Sequence, residues 1–209
     1  LPAVLPPAGP TLPWIQYDET AGWVNKPGFS GRQAKKDEFD VGIEINSCGF
    51  RGRECAVEKR LEVFRILVIG DSFTFGHGVE GRDTYAEQLQ AMAPGIEVLN
   101  AGVVGTGHDQ QLLWLKNAGL GFKPDLIVWG FSSADIPRNT VCFRRVADLN
   151  TGLNFGKPRY VLRDGKLELT NVPTPKPEDV DKAIEALLQG ERDGAGPLVM
   201  FIRHSRLVA

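Results

Sequence analysis

Apolar positions along the chain change period several times, and each change predicts an element. Val41, Ile43 and Ile45 alternate with polar residues, and Asn46–Gly49 then reads as a turn, so a strand or short hairpin is expected there. Phe64–Gly70 (FRILVIG) is an apolar run interrupted by one arginine, the pattern of a strand buried on both faces of a parallel sheet. Tyr85, Leu89 and Met92 fall at helical spacing within 83–93, with Asp83 or Thr84 as the N-cap. GIEVLN (95–100) predicts a second strand. A second helix is expected over 107–120, with Leu112, Leu113, Leu115 and Ala118 inward and Gly119 as its stop. KPDLIVWGF (123–131) predicts a third strand. Strand, helix, strand, helix, strand means βαβ units and a parallel sheet.

The flanks have a different texture. Residues 1–13 hold five prolines and read as an extended linker. Residues 14–31 mix aromatics with turn residues, which predicts irregular structure laid against a domain. RYVLRDGKLELT (159–170) has two alternating runs around Asp164–Gly165, a hairpin signal. After a second proline linker, 178–190 reads as an amphipathic helix stopped by Gly190, and 196–209 as a further helix. The expected organisation is a leader over 1–60, packed on an α/β domain over 61–209 that carries a hairpin insertion near 155–172.

Composition narrows the function classes. The chain has 209 residues, 42% of them hydrophobic, enough for one domain with a core. A formal net charge of −2 gives no basic surplus for nucleic acid. No apolar run is long enough to span a bilayer. Six residues separate Cys48 from Cys55, which is not a zinc spacing, so packed or surface thiols are expected rather than a metal site. One disulfide would fit an exported protein. No cofactor is expected.

The candidate chemistry sits where the three expected strands end: GDSFTFG (70–76), NAGVVGTG (100–107) and GFSSADIPRN (130–139). Ligands bind at such strand ends in parallel sheets. Taken alone, Ser72 also fits a turn or N-cap serine. Gly76–Gly81 matches G-x-G-x-x-G but is displaced from the strand, and neither a Walker loop nor a G-x-S-x-G elbow is present.

GDSFTFGHGV, VLNAGVVGTGHDQQLLWL and PDLIVWGFSSADI together resemble the SGNH (GDSL-like) hydrolase superfamily. YDETAGWVNKPGF and INSCGFRGRE resemble the leader of its bacterial envelope-associated members, so the similarity runs from about Trp14 to the end of the chain. The resemblance implies a three-layer α/β/α fold with a parallel flavodoxin-like sheet. It implies ester hydrolysis or acyl transfer through an acyl-serine, on acylated carbohydrates or other small esters. It also implies an extracytoplasmic place, with a membrane tether outside this chain. Ser72 would be the nucleophile, with its own N–H and that of Gly102 as oxyanion donors. Asp71 and Asp135 complete the binding set, Asp71 as a structural hydrogen-bond partner rather than a base.

Two departures from the family pattern stand out. Its third block ends Asn-Asp, but here the pair is Ala134–Asp135, so one oxyanion donor is missing unless Ser132, Ser133 or Asn139 replaces it. Its last block is Asp-x-x-His, which does not occur in this sequence; His77, His108 and His204 fit ordinary solvated or capped histidines. The expectation is therefore an SGNH chain incomplete at its C-terminal end. The competing expectation is a member that binds without turnover.

Overall fold

The computed structural model describes residues 12–148 and 151–188. In chain order the strands are β1 (Ile15–Asp18), β2 (Gly22–Asn25), β3 (Ser30–Lys35), β4 (Phe39–Glu44), β5 (Phe64–Gly70), β6 (Ile96–Gly102), β7 (Leu126–Gly130), β8 (Phe143–Asp148), β9 (Thr151–Gly156), β10 (Arg159–Arg163) and β11 (Lys166–Thr170). The helices are α1 (Ser72–Phe75), α2 (Tyr85–Met92), α3 (His108–Asn117) and α4 (Pro177–Leu188). Contacts gather the described residues into two compact units, Val24–Ile136 and 12–23 with 137–148 and 151–188.

The Val24–Ile136 unit is built on a parallel sheet of three strands, with β5 between β6 and β7. Alternate side chains of β5 point to opposite faces. Ile66 and Val68 pack with Ala86 and Leu89 of α2 on one face. Leu67 and Ile69 pack with Leu115 of α3 and with Phe50 on the other. A strand covered on both sides has to be apolar where it is covered, which explains the run Ile66–Ile69. Strand β4 carries Val41 and Ile43, both buried, and the expected turn at Asn46–Gly49 brings Arg51 back to bridge Ile45 antiparallel; β4 also pairs with β3 in a hairpin turning at 36–38, which was not expected.

Both helix faces differ from expectation. In α2 the buried residue is Ala86, while Tyr85 is exposed and Met92 is 79% exposed. Leu89 is half-buried and packs on the same cluster as Ala86. In α3 Leu113 and Leu115 are buried, Leu112 is half-buried and Ala118 is exposed. That helix ends at Asn117, so Ala118 lies beyond the periodic face. The interior side of its first turn is polar, with Asp109, Gln110 and Gln111 all buried. Residues 14–31, expected to be irregular, contain the paired strands β1 and β2 and the first two residues of β3.

In the other unit, β8 pairs with β9 and β10 with β11. The second pair is the hairpin expected around Asp164–Gly165, whose φ values of 48° and 75° give the two left-handed residues of a tight turn. Helix α4 lies against β9, where Asn154 Nδ2 donates to Asp181 Oδ1 at 2.7 Å. The expected stop at Gly190 and the expected helix over 196–209 lie outside the described residues.

Candidate functional site

Ser72 opens α1, directly after β5 ends at Gly70. A four-residue helix cannot hold itself together, because nucleation costs more than one turn returns. Three sets of contacts hold it. At its start, buried Asp71 accepts from Phe73 N at 2.9 Å and acts as the N-cap. At its end, Gly76 takes a left-handed conformation (φ 83°), and the N–H groups of Gly76 and His77 both donate to Ser72 O. Beneath it lies a row of glycines. Gly70, Gly102 and Gly130 are register partners across the three strands. A Cβ on Gly70 or Gly130 would overlap Thr74 Oγ1, and one on Gly102 would overlap the backbone of Thr74 and Phe75. The strand ends are therefore empty so that α1 can sink onto the sheet. Tyr85 Oη donates to buried Thr74 Oγ1 at 3.1 Å from above. Burial pushes the Tyr85 phenol above its ordinary range, so it remains a donor at neutral pH.

Ser72 is half-buried, and its hydroxyl approaches Asp71 Oδ2 at 3.5 Å, too long for a strong bond. It opens into a cavity of about 360 Å³ lined by Phe73, His77, Val79, Asp83 and Tyr85 among others. Phe73 is 78% exposed and stands at the rim. The His77 ring meets Phe39 edge-on, with centroids 5.6 Å apart. His108, at the start of α3, stacks flat on Phe131 at 4.2 Å. His204 lies outside the described residues.

Two expected site residues have other duties. Gly102 is buried, its N–H donates to Asn100 Oδ1 at 3.1 Å, and its carbonyl accepts from Asn25 Nδ2 at 3.0 Å. Gly102 is the expected second oxyanion donor; in this structure its N–H is engaged by Asn100, and its missing side chain makes room for α1. Asp135 is fully buried, and its Oδ2 accepts from Gln111 Nε2 at 3.4 Å. Gln111 in turn accepts from Trp129 Nε1 at 2.6 Å and donates to Thr106 Oγ1 at 3.3 Å. Asp135 thus ties the loop after β7 to α3 and does not line the cavity beside Ser72. Ala134 and Ser133 are exposed and Ser132 is half-buried.

Arg51 was not anticipated as part of the site. It is 4% exposed, and its guanidinium donates to the carbonyls of Phe75 (2.9 Å), Gly76, Val79 (2.6 Å) and Gly42 (3.1 Å). Its Cζ stands 4.7 Å from the centroid of the Phe75 ring. Burial lowers its pKa to about 10, against a smaller opposing pull from Glu80. The available signal was the stretch GFRG, which sequence reasoning assigned only to the leader.

Cys48 and Cys55 are not free thiols but form a disulfide, with Cα atoms 6.4 Å apart; Cys142 is buried. Cys48, Glu54 and Cys55 lie close enough together to suit a metal ion. The disulfide removes both thiolates from that role, and Glu54 accepts from Ser47, which holds its carboxyl below the usual range. Among the described residues no helix is long and apolar enough to cross a membrane. In comparisons with known proteins, no family model matches the chain and no curated protein matches it.

Proposed function

We propose that Ser72 is the nucleophile of a serine esterase or O-acyltransferase of SGNH type, acting on acylated carbohydrates or other small esters. The observation that carries this reading is its placement. A half-buried serine hydroxyl stands at the C-terminal end of the central strand, at the mouth of a cavity of about 360 Å³, on a turn held from below, behind and above. That volume falls in the lower range of small-molecule sites. The strand order, second–first–third with helices on both faces, supports a flavodoxin-like continuation of the sheet.

In this mechanism Ser72 Oγ attacks the ester carbonyl carbon and the alcohol departs, leaving an acyl-serine. Water or an acceptor hydroxyl then attacks the same carbon and restores the serine. The Ser72 N–H serves the developing oxyanion. A general base takes the serine proton; the family's Asp-x-x-His does not occur in this sequence. The Cys48–Cys55 bridge supports an extracytoplasmic place, where disulfides persist.

A second reading, an ester-binding protein without turnover, is favoured by two specific features. Ala134 offers no side-chain donor, and the Gly102 N–H is engaged by Asn100. Each lost oxyanion donor lowers turnover roughly a hundredfold to a thousandfold. Hydrolysis of short-chain nitrophenyl esters and acetylated saccharides by the protein and by Ser72→Ala decides between the two. The enzyme reading expects turnover that Ser72→Ala abolishes. Turnover that survives the substitution removes Ser72 from the mechanism; binding of the saccharide without any turnover favours the second reading.

A further inference from the structure

The Arg51 guanidinium is an unusual group to bury. Among the described residues it has no carboxylate within ion-pair distance, and its four guanidinium hydrogen bonds all go to backbone carbonyls. A buried cation is costly unless its donors are satisfied. Three of the four carbonyls, those of residues 75, 76 and 79, belong to the segment that follows Ser72. Two of them, on Phe75 and Gly76, lie at the C-terminal end of α1, where carbonyls lack helical partners and a cation is favoured. The fourth, Gly42, belongs to β4. The donor therefore staples the serine's turn to a separate hairpin.

The base of the staple is itself fixed. Arg51 N donates to Asn100 O at 3.0 Å, Phe50 is buried against Trp114 and Phe122, and the Cys48–Cys55 disulfide closes the loop around both residues. The clamped segment also forms a wall of the cavity, through Gly76, His77 and Val79.

We propose that Arg51 is a positioning residue for Ser72, holding the segment 75–79 so that the serine hydroxyl is fixed toward the cavity. This rests on the reading of Ser72 as nucleophile. Arg51 acts through the backbone and does not touch substrate. The geometry calls for a planar fork with several donors; a lysine keeps the charge but offers a single point. Lysine should therefore rescue the turn only in part.

The test compares the full chain with Arg51→Lys and Arg51→Met, using two readouts. The first is amide hydrogen exchange, comparing a peptide covering 72–80 with peptides from β5 and β6. The N–H groups of Gly76, His77, Gly78 and Val79 are all bonded in the folded protein and report directly. Loss of the clamp should speed their exchange on the order of tenfold in Arg51→Met, less in Arg51→Lys, with the strands unchanged. The second is labelling of Ser72 by an alkyl fluorophosphonate. The maximal labelling rate should fall roughly tenfold to a hundredfold, with the half-saturating probe concentration little changed, because orientation is lost rather than binding. Unchanged exchange over 72–80 in both variants overturns the proposal. So does faster exchange spread evenly over β5 and β6, which would make Arg51 an ordinary core residue. If Arg51→Met does not fold, the Arg51→Lys exchange pattern decides alone. If the unaltered chain takes no label, the nucleophile reading fails, and the exchange pattern still shows whether Arg51 holds the turn.

Discussion

The two ends of the parallel sheet are built on opposite principles. At the N-terminal end, side chains are large, charged and mutually neutralised. Arg65 is 1% exposed and donates to Glu97, its register partner on β6, at 2.6 Å. It also donates to the carbonyls of Ala56, Val57 and Phe122. Asp125 accepts from Arg65 N at 2.7 Å and pairs with Lys59. At the C-terminal end the strands finish in three glycines, and the buried arginine above them meets carbonyls instead of a carboxylate. One end is filled and closed. The other is emptied so that a single turn carrying Ser72 can be seated there. Both ends bury an arginine, so a buried cation does not by itself mark a functional end; the partners it holds make the difference.

Removing the filled end should cost most. Arg65→Met leaves Glu97 and three carbonyls without their donor and is expected to destabilise the Val24–Ile136 unit by about 3 to 5 kcal/mol, read from urea unfolding. At the emptied end, Gly102→Ala should cost on the order of 3 kcal/mol, since the new Cβ overlaps rigid backbone of α1. Gly95→Ala sharpens the contrast. A Cβ there meets nothing, so only its positive φ of 84° resists the change, and a loss of about 1 kcal/mol is expected. A Gly102→Ala cost no larger than that of Gly95→Ala would mean that the glycine row is not what seats α1.

Replacing Cys48 and Cys55 together by alanine should cost about 2 to 3 kcal/mol, through the freedom returned to a short loop of the unfolded chain. The smallest effect is in acid. The hydrogen bond from Lys59, helped by the Arg65 N–H, holds the Asp125 carboxyl below its ordinary range. A carboxylate depressed in the folded state contributes stability above its unfolded pKa of about 3.9, and that contribution is lost as pH falls through the folded value. Asp125→Asn should therefore shrink the fall in urea midpoint between pH 5 and pH 2. An unchanged acid limb would detach Asp125 from the stability of the filled end.

What could be read from the sequence follows the range of the forces involved. The run FRILVIG announced β5, because burial on both faces demands apolar residues over its middle, Ile66–Ile69. Asp164–Gly165 announced its hairpin, because turn chemistry is local. The α2 face was misread from Tyr85 and Met92: helical spacing says which residues share a face, while packing against β5 chose Ala86 and Leu89. Ser72 stood out through its motif, but the packing of Gly102 against Phe75 did not, because that approach exists only once β6 and α1 are brought together. The clamping role of Arg51 did not show in GFRG for the same reason. Its four acceptors come from segments 9 to 28 residues away, and no periodicity marks carbonyls.

The central claim is that the seated turn makes Ser72 reactive. Intact-mass and peptide measurements after treatment with an alkyl fluorophosphonate test it most directly. The account predicts a single adduct, located on Ser72 and absent from Ser72→Ala. An unmodified Ser72 in the folded protein, or an adduct carried by a different serine, would contradict it.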